Sequence, residues 1–166
     1  MNLSQLARAR ADQGRPVRVA LIGAGKFGSM FLAQAPHIAG LSVTHIADLD
    51  PARARAACRA TGWSAERIAA TVFVEDGLDA ARAPVDVVIE ATGVPEAGLN
   101  HARAALDAGK HVVMVNVEAD VLAGPVLAAQ ARSAGLVYSM AYGDQPALVS
   151  ELVDWARATG FQVAAA

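Results

Sequence analysis

Residues 17–35 carry the sequence VRVALIGAGKFGSMFLAQA, in which an aliphatic run is followed by three glycines and then by a helical pattern. The run from Val17 to Ile22 is short and β-branched, which is typical of a parallel strand buried on both faces. Around and after Gly28, apolar residues recur at spacings of three and four, which predicts a helix that ends near Ala39. The stretch therefore predicts a strand, a glycine turn and a helix.

The turn GAGKFG fits the pattern GxGxxG with Gly23, Gly25 and Gly28. In this pattern the first glycine permits a tight turn, the second lets the backbone approach a pyrophosphate, and the third allows the helix to pack closely on the sheet. Amide groups at a helix start bind anions without a basic side chain. We therefore expect NAD or NADP to bind here, with Lys26 and Phe27 also in contact. The alternative is a purely structural glycine turn.

Asp48 lies 20 residues beyond the last glycine of the motif, at the end of a predicted strand over residues 41–48. An acid at this spacing accepts hydrogen bonds from the adenosine ribose, which favours NAD over NADP. A turn or capping role for Asp48 is the alternative, although Asp50 is the better helix cap. Arg53 and Arg55 could reach a 2′-phosphate, so NADP stays open, or both could be solvated surface residues.

The remaining sequence alternates between strand and helix patterns. Further strands are predicted at residues 71–76, 84–93, 111–117, 136–142 and 161–166, with helices at 51–60, after residue 93, at 121–134 and from Asp144 onward. Such alternation indicates βαβ units with right-handed crossovers. We expect an α/β Rossmann fold, a doubly wound and mostly parallel sheet with helices on both faces. Residues 1–15 would form a leading helix or arm, and 16–166 the NAD(P)-binding domain.

Two loops at the carboxyl edge of this predicted sheet carry the other candidate residues. Thr92 and Gly93 follow one strand, and Asn116 and Glu118 follow the next. Ligands of open α/β sheets bind at this edge, so the four residues should line the ribose and nicotinamide half of the cleft. Glu90, just before the first loop, is either a functional carboxylate or a strand-end residue satisfied by neighbouring amides.

Composition narrows the functional classes. The 166 residues are 54% hydrophobic, enough for one domain with a sizeable core. A formal charge of −2 and 5% aromatic content argue against a nucleic-acid partner. No apolar run approaches the roughly 18 residues of a membrane span, and the lone Cys58 fits a reducing compartment, so we expect a cytoplasmic protein. The expected partner is a dinucleotide, and a homo-oligomer is an open alternative.

Other chemistries find little support in the sequence. The four histidines are scattered, with no pair at helical metal-site spacing and no cysteine pair to join them, so no metal is expected. A GxSxG elbow is absent, which leaves nucleophilic hydrolysis unsupported. Hydride transfer is the natural assignment, although no catalytic residue is identified.

The segments VRVALIGAGKFGSMFLAQ, ADLDPARA, DVVIEATG, AGKHVVMVNVEAD and GDQP resemble the amino-terminal domain of homoserine dehydrogenase-like proteins, above all a branch with a carboxyl-terminal SAF domain. The resemblance covers nearly the whole chain. It implies a cofactor domain, which in that family is followed by a domain supplying much of the substrate pocket and the catalytic residues. Through AGKHVV the chain more distantly resembles the glucose-fructose oxidoreductase and inositol dehydrogenase superfamily, without its usual Glu-Lys-Pro.

One departure from the family pattern bears on activity. Homoserine dehydrogenases carry Asn-Lys after the fifth strand and deoxyxylulose phosphate reductoisomerases carry Asn-Lys-Glu, where this chain has Asn116, Val117 and Glu118. The missing lysine removes a cation near the nicotinamide. Three functions stay open: the cofactor domain of an oxidoreductase acting on a small polar carbonyl or alcohol, a non-catalytic NAD(H)-binding regulatory module, and the cofactor domain of a sugar-phosphate reductoisomerase. The isolated chain is expected to be inactive.

Overall fold

The computed structural model describes residues 2–143 and 145–165, a range that excludes Asp144 of the predicted last helix. The strands are β1 Val17–Ile22, β2 Leu41–Ala47, β3 Val72–Val74, β4 Val87–Glu90, β5 His111–Met114 and β6 Tyr138–Met140. The described helices are α1 Leu3–Asp12, α2 Lys26–Gln34, α3 Pro51–Ala60, α4 Ala65–Ala70, α5 Gly77–Ala81, α6 Pro95–Asp107, α7 Val117–Ser133 and α8 Gln145–Ala158, and a 3₁₀ turn spans Ala35–His37.

The six strands form one parallel sheet in the order β3-β2-β1-β4-β5-β6. This is the strand order of the doubly wound Rossmann fold. The order reverses between β1 and β4, because the chain builds outward in one direction from β1 and then returns to build outward in the other. The fold class predicted from the sequence is confirmed.

The centre of the sheet is apolar on both faces, as expected of parallel strands covered by helices. In β1, Ala20 and Ile22 pack into a core cluster with residues of α5, α6 and α7, whereas Val19 and Leu21 pack into a cluster with residues of α2, α3 and α4. All four are 2% exposed or less. The two clusters fix β1 from both sides, and with it the turn that follows.

The structure differs from the sequence predictions at several element ends. The strand predicted at 161–166 is wrong: residues 161–165 are irregular, and Phe161 stacks on Trp155 of α8 with ring centroids 6.2 Å apart. The segment pairs with no strand in the described part of the chain, although the outer edge of β6 is free. The strand predicted at 84–93 covers only Val87–Glu90, and α7 begins at Val117 rather than 121 because Asn116 caps it.

Two further helices, α4 and α5, were not predicted at all. Each is very short, six and five residues, and each is started by a side-chain cap, Ser64 for α4 and Asp76 for α5. Among the described helices none combines the length and the apolarity needed to cross a bilayer.

Candidate functional site

A cavity of about 750 Å³ opens at the carboxyl edge of the sheet, across the junction of β1 and β4. Its walls come from the ends of β1 to β4 and from α6, and they include Gly23, Gly25, Asp48, Arg53, Thr92 and His101. Open α/β sheets bind their ligands at this point of reversal, and the volume suits a small molecule or cofactor. The cavity is therefore the candidate site.

The three motif glycines serve different purposes. Gly23 has a φ of +95°, and a Cβ there would lie 2.6 Å from the Ala91 carbonyl oxygen. A Cβ on Gly28 would lie 2.2 Å from the Gly23 oxygen, so both positions need glycine to build the turn. A Cβ on Gly25 would meet nothing within 4 Å. The protein itself does not require glycine there, and the space in front of Gly25 is open to a ligand.

That open space lies at the amino terminus of α2. Gly25 is the N-cap of the helix, and no side chain of the described residues accepts a hydrogen bond from the first amide groups. Unpaired amides at a helix start are donors for an anion, and the helix dipole adds to their attraction. The arrangement is a cradle that a pyrophosphate would fill.

Asp48 supports the turn and also lines the cavity. Its Oδ2 accepts a hydrogen bond from the Ala24 N–H at 2.9 Å, while Oδ1 accepts from the Asp50 N–H at 3.0 Å. Burial raises the pKa of this carboxyl, but these amide bonds and the Arg53 guanidinium outweigh burial and hold the pKa below its usual value. Asp48 is therefore an ionised acceptor, and its turn role and its ligand role are compatible.

The neighbouring predictions are resolved by the geometry. Asp50 caps α3, accepting from the N–H groups of Ala52 and Arg53 at 3.0 Å each, as predicted. The Arg53 guanidinium donates to Asp48 Oδ1 at 2.7 Å, although its side chain is 62% exposed. Arg55 turns away, with its guanidinium 4.1 Å from the ring centroid of Phe73. Only Arg53 of the two arginines lies at the cavity.

The cavity wall near Asp48 is rich in acids. Glu75, Asp76 and Asp79 line the same cavity, and Arg53 is its single lining cation. Within the described residues this end of the cavity therefore has four carboxyl side chains, including Asp48, and one guanidinium. That guanidinium already bonds to Asp48. An anionic group would be disfavoured here by like-charge repulsion.

On the other side of the junction, polar side chains bond to one another. Asn116 is 3% exposed; its Nδ2 donates to the Val94 carbonyl at 3.0 Å and to Thr92 Oγ1 at 3.4 Å. Its Oδ1 accepts from the Ala119 N–H at 3.0 Å, which caps α7. Asn116 thus ties the loop after β4 to the loop after β5, and it does not line the cavity.

Glu90 is the most deeply enclosed acid, with 0% exposure. Its Oε1 accepts from Thr92 Oγ1 at 2.6 Å, from the Thr92 N–H at 3.3 Å and lies 3.2 Å from the His101 ring nitrogen Nδ1. One neighbouring amide bonds to Glu90, as the structural interpretation predicts, while its functional interpretation stays a prediction. His101 is not among the site residues predicted from the sequence; it lines the cavity together with Ala97, which lies four residues earlier on α6.

The other predicted contact residues lie outside the cavity walls. Lys26 and Phe27 are exposed in the first turn of α2, Glu118 is exposed in the first turn of α7, and Gly93 is exposed with a φ of +73°. Residues 2–143 and 145–165 hold no group of three or more His, Cys, Asp or Glu side chains arranged for a metal ion.

Comparison with known families decides the broad assignment. A family described as an oxidoreductase family with an NAD-binding Rossmann fold, GFO/IDH/MocA, matches residues 17–115, from the start of β1 to just past β5. The chain belongs to this family. The match bears out the resemblance given above as the more distant one, and the narrower homoserine dehydrogenase-like assignment goes beyond it.

Solved structures share the fold. Similar chains include an NAD binding oxidoreductase from Klebsiella pneumoniae (23% identity, TM-score 0.63, covering 87% of this chain and 39% of that one). A myo-inositol dehydrogenase from Lactobacillus casei in complex with NAD(H) and myo-inositol has 20% identity, TM-score 0.63 and coverages of 85% and 42%. A homoserine dehydrogenase from Thiobacillus denitrificans has 24% identity, TM-score 0.61 and coverages of 76% and 29%. The chain thus spans well under half of each. No curated protein matches significantly.

Proposed function

We propose that this chain is the NAD-binding domain of a homoserine dehydrogenase-like oxidoreductase, which moves a hydride between nicotinamide and a small polar carbonyl or alcohol. The observation that carries the proposal is the cradle at Gly25, open in front of the unpaired amides of α2 and adjoining the ionised Asp48. Family membership supports the oxidoreductase chemistry.

The residues divide the cofactor between them. The amides of residues 25–28 would hold the pyrophosphate, with Lys26 and Phe27 beside it, and Asp48 would accept from the adenosine ribose hydroxyls. Thr92 and Gly93, with Asn116 and Glu118 on the next loop, would border the nicotinamide half. The bound nicotinamide supplies the hydride chemistry, and the protein supplies binding and orientation.

The charges of the cavity favour NAD over NADP. Asp48 is held ionised, and Glu75, Asp76 and Asp79 line the same cavity. A 2′-phosphate would meet these carboxylates, whereas a ribose hydroxyl would find an acceptor in Asp48. Arg53 could help a phosphate only by leaving its 2.7 Å hydrogen bond to Asp48.

Titration calorimetry of the whole chain tests the proposal directly. We expect NAD⁺ to bind, NADP⁺ to bind more weakly, and NAD⁺ to raise the thermal midpoint, because a ligand that binds only the folded state stabilises it. Absence of binding by either dinucleotide would contradict the proposal.

Turnover is a separate matter from binding. Hydride transfer needs a substrate held in a near-attack geometry, and that orientation supplies about 7–11 kcal/mol of barrier reduction. We propose that residues beyond this Rossmann domain complete the substrate pocket. The chain with NAD⁺ and homoserine should therefore give no growth of NADH absorbance, and sustained turnover would overturn this part of the proposal.

A non-catalytic, NAD(H)-binding regulatory module is the second candidate, and Val117 in place of a lysine favours it. Such a module would bind NAD(H) with no reaction under any substrate. The cofactor domain of a sugar-phosphate reductoisomerase stays a third hypothesis, which rests on the sequence match of Asn116 and Glu118.

The cellular setting is part of the proposal. The thiol of Cys58 is fully buried, and burial raises its pKa to about 11, so it is an unreactive packing group compatible with the reducing cytoplasm. A homo-oligomer is also possible for a domain of this kind. Sedimentation of the purified chain would measure its assembly state.

A further inference from the structure

Glu90 is an acid at a buried position of the sheet whose neighbours in register are apolar. In register it lies between Ile22 of β1 and Met114 of β5, both buried and apolar. Burying a carboxylate costs far more free energy than burying the aliphatic residue that suits such a position. A costly group at the end of a central strand, beside a cavity, indicates a role in the site rather than in the sheet.

The hydrogen bonds of Glu90 are strongly asymmetric. Oε1 takes the hydroxyl and the N–H of Thr92 and lies beside His101, whereas the buried Oε2 has no hydrogen-bond partner among the described residues. The shortest of these contacts is the 2.6 Å hydrogen bond that the Thr92 hydroxyl donates. The hydrogen-bond partners of Glu90 are therefore two residues that line the cavity.

This arrangement determines what the loop after β4 can offer a ligand. Both donors of Thr92 are committed to Glu90, and the Val94 carbonyl accepts from Asn116. The Gly93 N–H makes no hydrogen bond within the described part of the chain, and Gly93 is exposed with a φ of +73°. Gly93 is thus the residue whose backbone donor stays available.

We propose that Glu90 is a positioning residue for the nicotinamide side of the cleft: it holds Thr92 so that the loop presents the Gly93 amide to the nicotinamide riboside of a bound dinucleotide. The inference rests on the proposed function. Glu90 acts only through Thr92 and makes no contact with the ligand itself. Its loss should therefore affect one half of the dinucleotide and spare the other.

Calorimetry with two ligands tests this directly. NAD⁺ spans both halves of the cleft, whereas ADP contains the adenosine and pyrophosphate groups but lacks the nicotinamide riboside. In Glu90→Leu we expect NAD⁺ affinity to fall several-fold, up to about tenfold, as two hydrogen bonds that order the loop are lost. ADP affinity should stay within twofold. The thermal midpoint should not fall, because leucine packs well between Ile22 and Met114.

Thr92 gives a matched pair of controls that leaves the sheet untouched. Thr92→Val removes the hydroxyl and should reproduce the selective loss of NAD⁺ affinity. Thr92→Ser keeps the hydroxyl and should bind NAD⁺ as the unaltered chain does. This pair carries the test if Glu90→Leu does not fold. The more conservative Glu90→Gln retains an acceptor oxygen and should lie between Glu90→Leu and the unaltered chain.

The possible outcomes distinguish a failure of this inference from a failure of the proposed function. Equal losses for NAD⁺ and ADP in these variants would make Glu90 a general structural residue and overturn the inference, and so would unchanged NAD⁺ affinity in both Glu90→Leu and Thr92→Val. An unaltered chain that binds neither ligand would instead contradict the proposed function. The positioning role is supported if the ratio of NAD⁺ to ADP affinity falls in Glu90→Leu and Thr92→Val. In Thr92→Ser the ratio should match that of the unaltered chain.

Discussion

The two halves of the cleft are built in opposite ways. On the β1 to β3 side, Gly25 and Asp48 turn unpaired donors and an ionised acceptor toward the cavity. On the β4 to β6 side, Glu90, Thr92 and Asn116 bond mainly to one another. One half offers free hydrogen-bonding groups to a ligand, whereas the polar side chains of the other half are mostly bonded within the protein.

The difference between the two halves implies that cofactor binding and hydride transfer depend on different parts of the protein. Hydride transfer needs water to be excluded from the reacting atoms, and only enclosed walls accomplish this. Past the second half, Val137 and Tyr142 are 57% and 77% exposed. Binding energy should therefore come mainly from the first half, and perturbations there should have the larger effects.

The largest effect is expected at the cradle. Gly25→Val should lower NAD⁺ affinity more than a hundredfold, because the side chain would occupy the space for the pyrophosphate. Its Cβ meets nothing within 4 Å, so the thermal midpoint should barely change. Gly28→Val is the contrasting variant and should fold poorly, because its Cβ would lie 2.2 Å from the Gly23 oxygen. A folded Gly25→Val variant with unchanged NAD⁺ affinity would show that the pyrophosphate does not bind in front of Gly25.

A smaller effect is expected at the ribose end. Asp48→Ala removes a charge-assisted acceptor worth about 1.5–3 kcal/mol, so NAD⁺ affinity should fall tenfold or more. NADP⁺ should lose less, because the variant also frees Arg53 from its 2.7 Å bond to Asp48. Calorimetry with both dinucleotides measures the ratio. Equal losses would show that Asp48 acts only by bracing Ala24 and the turn.

The neighbouring acid should change stability but not selectivity. Asp50→Ala removes the two hydrogen bonds that cap α3, which costs about 1 kcal/mol and should lower the thermal midpoint by roughly 2–4 °C. The ratio of NAD⁺ to NADP⁺ affinity should stay constant. A changed ratio would extend the ribose site from Asp48 to Asp50.

The smallest effect is expected from mild acid. Because the pKa of Asp48 lies below its usual value, its carboxylate keeps its charge on acidification until the pH has fallen below about 4. NAD⁺ affinity should therefore change by less than about twofold between pH 8 and pH 5.5, as followed by calorimetry at constant ionic strength. A loss centred near pH 6.5 would contradict the assignment of the ribose acceptor to Asp48, because carboxylates of this kind are already ionised there.

What could be predicted from the sequence was local. The strand, turn and helix of residues 17–35 depend on neighbouring side chains and on glycine positions, and the structure confirms them. The cap at Asp50 follows in the same way from an acid before a proline. Asp48 was found by its spacing from the glycine motif, since a βαβ unit has a nearly constant length.

What could not be predicted depends on partners distant in the chain. After α8 the chain packs Phe161 on Trp155 instead of pairing with the edge of β6 that is free among the described residues, and an apolar pattern does not distinguish these two outcomes. Glu90 and His101 approach to 3.2 Å because α6 packs beside β4, and nothing in their 11-residue separation indicates this. The two very short helices, α4 and α5, contain too few turns for a periodic signal.

The parallel pairing of β1 on both sides has a consequence for the order of assembly. Val19 pairs with Val43, 24 positions on, and with Val87, 68 positions on. Closing the longer loop costs more chain entropy, and during synthesis its far strand emerges only after β1, β2 and β3 are complete. The amino-terminal half of the sheet can thus assemble first on the ribosome, and the seam to β4 closes later. A dinucleotide lying across that seam would act as a clamp between an early and a late folding unit.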